Sequence, residues 1–138
     1  MANYYGQART NYFAVKDDEA FVAEMSKLPV EVITEEKDGK TLYGFLDANQ
    51  DGGGLDSYVY DSETEQEDSI DWIETLQKHV APGWAVILME VGHEKYRYLN
   101  AYTYVITESG FRELNLEDWA HETARNELGA ENVTPASY

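Results

Sequence analysis

The chain has 138 residues and a mass of 15.7 kDa, with 27 Asp plus Glu against 10 Lys plus Arg, a net charge of −17, and no cysteine. Lack of cysteine excludes a disulfide framework, a thiol nucleophile and cysteine-ligated metal. A charge this negative is repelled by nucleic acid and by anionic membranes, so the expected partner is a basic protein surface, with no direct nucleic-acid or membrane binding.

Hydrophobic residues make up 43% of the chain and aromatics 13%, which suits one domain, 1–138, around a single core. Met1 to Tyr5 contains neither a basic nor an apolar signal region, and the longest apolar run, Trp84 to Met89, is too short to span a bilayer. The expectation is a soluble cytoplasmic protein.

In chain order, Thr10 to Val15 reads as a first strand, β-branched and aromatic. Asp17 then caps a helix whose apolar stripe is Phe21, Met25 and Leu28, with Asp18 and Glu19 in the dipole-favoured first turn and Pro29 ending it. Val30 to Thr34 and Thr41 to Leu46 flank Lys37-Asp38-Gly39-Lys40, a tight hairpin turn. Residues 47–68 read as an acidic, glycine-containing loop region, interrupted by a short strand over Ser57 to Tyr60 and exposed from Asp61 to Asp68. Ser69 opens a second helix, with Ile70, Ile73, Leu76 or Gln77, and Val80 facing inward and Trp72 on the flank; Pro82-Gly83 breaks it.

Trp84 to Val91, a nearly continuous apolar run ending in Glu90-Val91, predicts a central strand. A turn at Gly92 to Lys95 leads to a long strand, Tyr96 to Thr107, a turn at Glu108 to Gly110, and a strand over Phe111 to Leu114. Asn115 caps a last helix that Gly129 stops, leaving 130–138 as a loose tail. The sum is an α+β fold: three helices covering one face of a mostly antiparallel sheet, compatible with a ferredoxin-like core carrying additions.

Ten acids and no base occupy the 37 residues between Lys40 and Lys78. Asp61, Glu63, Glu65 and Glu67 alternate, so an extended chain sets them on one face at about 6.6 Å, close to the spacing of successive phosphates. Asp68, Asp71 and Glu74 follow at helical spacing. With Asp56 these residues are the candidate partner-binding acids, either a mimic of a nucleic-acid backbone or a solvated loop with helix-dipole complementation. Asp47, Asn49, Asp51 and Gly52 match the opening of a calcium loop, but the match then fails: Tyr58 stands where the bidentate glutamate belongs and Gly54 where an aliphatic does, which favours an Asx- and Gly-rich turn linking two strands.

His79, His93 and His121 lack metal or triad spacing, and no GxSxG, P-loop or GxGxxG occurs, so neither a catalytic site nor a cofactor is expected. The tyrosine pairs 58/60, 96/98 and 102/104 each share a strand face, packing across strands or forming a binding surface.

Met1-Ala2-Asn3-Tyr4-Tyr5-Gly6, with Ala8 to Phe13, and the stretch Ala85 to Tyr98 resemble a family of small acidic proteins carried by phages, plasmids and integrative elements. The resemblance implies an inhibitor of host defence, of antirestriction or anti-CRISPR type. The expected function is therefore a non-enzymatic acidic protein that occupies the basic groove of a nucleic-acid-binding defence protein. An acidic antitoxin or regulatory module and a calcium-responsive module are the alternatives.

Overall fold

A computed structural model describes residues 4–49, 52–61 and 63–136. Eight strands and three helices follow one another as β1 (Tyr5–Thr10), α1 (Asp18–Met25), β2 (Val30–Lys37), β3 (Lys40–Asp47), β4 (Tyr58–Asp61), β5 (Gln66–Ser69), α2 (Trp72–His79), β6 (Val86–Glu94), β7 (Tyr98–Thr107), β8 (Gly110–Asn115) and α3 (Leu116–Glu122), which continues as a π-helical turn, Thr123–Glu127. Six strands form one antiparallel sheet in the order β2-β3-β1-β6-β7-β8, and β4 and β5 form a separate hairpin. Strand β3 is inserted between β1 and β2, and β6 returns to the other side of β1. That is the split β-α-β-β-α-β path of a ferredoxin-like core. The β4–β5 hairpin is inserted into it, and β7, β8 and α3 are appended.

Local chemistry explains most boundaries. Asp17 caps α1 by accepting the Ala20 N–H at 3.1 Å, and Asn115 caps α3 through the amides of Glu117 and Asp118. Asp38 and Gly39, with φ of 54° and 75°, make the left-handed two-residue turn between β2 and β3. The core lies on one face of the sheet under α1 and α2. Phe13, Phe21, Phe45, Met25, Leu76, Val80, Val86 and Ile106 are fully buried there. Each such side chain contributes about 1.5–3 kcal/mol through burial. Phe21 stands edge-on to Phe13 at 5.8 Å.

The first strand is Tyr5–Thr10 rather than 10–15. Its inward positions are Gly6, Ala8 and Thr10, too small to register as a hydrophobic alternation, while Phe13 and Val15 make only isolated bridges to Tyr43 and Val80. Trp72 does not lie on a helix flank. It is buried against Phe45 at 5.2 Å, and Ile70 precedes the helix. Strand β6 is buried on one face only: Val86, Leu88 and Glu90 point inward, whereas Ile87, Met89 and Val91 are exposed. It runs on through Gly92 and His93, so the turn falls at 95–97 and Tyr96 is in it. Only α1 and α2 cover the core face; α3 lies at the end of the opposite face, beside Val91, Leu99 and Ala101. The tail is tied down as far as Ala136, whose N–H donates to Glu117 Oε1 at 3.0 Å.

Candidate functional site

The acidic segment is more ordered than a loop. β3 extends to Asp47, and β4 pairs with β5 so that Tyr58 lies opposite Ser69, Val59 opposite Asp68, and Tyr60 opposite Glu67. Glu63 and Glu65 fall in the connecting turn, where Glu65 takes a left-handed backbone with φ of 58°. The single extended row over Asp61, Glu63, Glu65 and Glu67 therefore does not form, because the chain folds back on itself at its middle. The helical row does not form either. Asp68 is in β5, Asp71 is the N-cap of α2, and Glu74 alone is helical, donating its N–H to Asp71 Oδ1 at 3.0 Å.

What results is a compact acidic projection. Asp56, Glu63, Glu65, Glu67, Asp68, Asp71 and Glu74 are all exposed, and Tyr58 and Tyr60 beside them are about 60% exposed (59% and 62%). The projection has a rigid base. The Trp72 indole N–H donates to the Asp56 carbonyl at 2.9 Å, and the Ile70 N–H to the Ser57 carbonyl at 2.8 Å. Trp72 is thus wedged into the core by its ring and into the hairpin by its nitrogen, a pairing of burial with a satisfied polar edge. Acids at the N-terminus of α2, with Lys78 and His79 in its last turn, also complement the helix dipole.

A second carboxylate site was not singled out from the sequence. Glu90 stands inside the apolar run of β6 and is buried on the core face. Its Oε1 accepts the Leu55 N–H at 2.8 Å, and its Oε2 accepts the Tyr4 hydroxyl at 2.9 Å and the Asn100 amide at 3.3 Å. The burial of Tyr102 and the negative charge of Glu90 hold the Tyr102 phenol far above its ordinary pKa, and Tyr4 is raised as well, first by burial. Gly54, at φ +82°, lets the backbone close over this carboxylate; a Cβ there would sit 2.5 Å from Oε1. The site pins the segment leading into the acidic hairpin onto the sheet. The only sequence signal for it is an acid in an otherwise apolar strand.

The calcium-loop residues are used differently. Asp47 Oδ2 accepts the Ala8 N–H at 2.7 Å, which ties the turn to β1, and its Oδ1 accepts the Asn49 N–H at 3.1 Å, which closes the turn itself. Asp51 lies outside the described residues. Among the described residues no group of three or more His, Asp or Glu is placed to hold a metal.

The histidines are scattered. His79 is buried and sits 2.5 Å from Glu24, which also meets Lys78 at 2.9 Å; the Lys78 hydrogen bond chiefly, and His79, hold the Glu24 carboxyl below its ordinary range. His93 lies beside the Tyr5 ring, and His121 is 3.4 Å from Glu117. Of the tyrosine pairs, 102/104 faces the core side with rings 5.5 Å apart, and 96/98 is not a strand pair because Tyr96 is in the turn.

No family model, curated protein or solved structure matches this chain. Among the described residues no helix is long and apolar enough to cross a membrane.

Proposed function

We propose that this chain is a non-enzymatic acidic binding protein that occupies the basic groove of a nucleic-acid-binding defence protein, in the manner of antirestriction or anti-CRISPR inhibitors. The observation that carries the reading is the acidic projection. The β4–β5 hairpin, the start of α2 and Asp56 just ahead of the hairpin gather seven exposed carboxylates and two exposed tyrosines on a base fixed by Trp72.

The charge is delivered as a dense patch rather than as a phosphate-spaced line. A patch suits competition for a basic groove, since steering depends on summed charge and is screened within about 8–10 Å at physiological salt. Tyr58 and Tyr60 supply the amphipathic contact area typical of protein interfaces.

The test is to immobilise the chain, load bacterial extract and elute with duplex DNA, RNA or salt. Retained proteins that bind nucleic acid and leave with a competing nucleic acid or with rising salt support the reading. Retained proteins that resist both eluants, or none retained at all, overturn it.

A further inference from the structure

On the sheet face opposite the core, the outward side chains of β1, β6, β7 and β8 have no layer packed over them except α3 and the tail at the Tyr5 and Leu99 end. The cross-strand rows are Arg9-Met89-Thr103-Leu114, Gln7-Val91-Ala101, Tyr5-His93-Leu99 and Ile87-Val105-Arg112. None of these positions is acidic, although acids are 27 of the chain's 138 residues. Beside this face, α3 buries none of its own residues and leaves Leu116 and Trp119 more than half exposed. An open groove of about 1090 Å³ separates α3 and the tail from the end of the sheet.

We propose that this face is a self-association surface and that its occupant is a second copy of the same chain. Charge selects the occupant. A basic partner drawn to acids elsewhere on the molecule meets Arg9 and Arg112 here. A second copy, at −17, is repelled by the acidic surfaces and can approach through these strand rows, which carry no carboxylate; Glu117, Asp118 and Glu122 lie only on the α3 flank.

Size allows it. Four strands about 4.8 Å apart and six residues at about 3.4 Å give about 400 Å² in plan, before the relief of the side chains and the flank of α3. That plan area is about half of the ~800 Å² each partner contributes to a stable interface, and Leu116 and Trp119 on the flank of α3 must supply the rest. Shape allows it too, since a two-fold interface needs a self-complementary surface, and this side carries both a protruding Trp119 and a groove. An apolar patch of this extent on a soluble chain marks a contact site.

The test is sedimentation equilibrium of the full chain across protein and salt concentration. Wild type is expected to approach twice 15.7 kDa, with association tightening as salt rises, because screening removes repulsion between like-charged copies. Met89→Glu, at a half-exposed position that folding tolerates, is expected to stay at the monomer mass with an unchanged circular dichroism spectrum. Trp119→Ala should weaken association at least tenfold, and Val22→Glu on the far side of the molecule should leave it unchanged. Wild type that remains a monomer at its highest soluble concentration in high salt overturns the proposal. So does folded Met89→Glu that still dimerises, or association that weakens as salt rises.

Discussion

Glu90→Gln isolates the role of the buried carboxylate while keeping the side chain's shape. Glu90 meets only donors: the Leu55 N–H, the hydroxyls of Tyr4 and Tyr102, and the Asn100 amide. A glutamine can place its oxygen on Leu55, but its –NH2 then confronts Tyr4 and Asn100. The Tyr4 hydroxyl can rotate to accept. Asn100 Nδ2, which also donates to Tyr4 at 2.9 Å, is left facing a donor. One charge-assisted hydrogen bond is lost and one buried donor is orphaned, each worth about 1–3 kcal/mol, with some relief from dropping one negative charge.

The net expectation for this variant is a loss of about 1–3 kcal/mol. By urea titration with a slope of about 1–3 kcal/mol/M, this lowers the midpoint by about 1 M. Hydrogen exchange supplies the local readout. The Leu55 amide should lose protection more than the amides of β1 and β6, because it depends on this oxygen. A stability unchanged within about 0.3 kcal/mol, with Leu55 still protected, would refute the claim that Glu90 holds the segment before the hairpin to the sheet.

Two further outcomes follow from the charges. Changing Glu63, Glu65 and Glu67 to glutamine together should leave folding within about 0.5 kcal/mol, since all three are exposed, while slowing association with a basic partner; surface plasmon resonance against the captured partner reads both rates, and an unchanged association rate would mean these acids do not steer binding. Glu24, whose pKa is depressed below its ordinary 4.5, chiefly by Lys78, contributes stability that is fully present above pH 4.5 and lost as pH falls through its lower folded value. Urea midpoints for wild type and Glu24→Gln should therefore differ at neutral pH and converge in acid, and a gap that widens in acid would contradict the assignment.

Elements whose chemistry is local were legible in the sequence. Asp17 with Phe21 and Met25 set α1, Asp38-Gly39 set the β2–β3 turn, and Asn115 set the start of α3, because capping and turn preferences act over a few residues. The α+β class followed from their alternation.

Three things required the tertiary structure. β1 is held by pairing on both sides, with Gly6, Ala8 and Thr10 inward, and small residues leave no periodic trace. The acidic hairpin closes although β5, Gln66–Ser69, is wholly polar, because Trp72 anchors its base from a position distant in space until the core forms. The apolar run of β6 reads the same whether both its faces are buried or one waits for a partner. Hydrophobicity records that water is to be excluded, and the assembled sheet decides which side of Val86 to Val91 the protein itself covers.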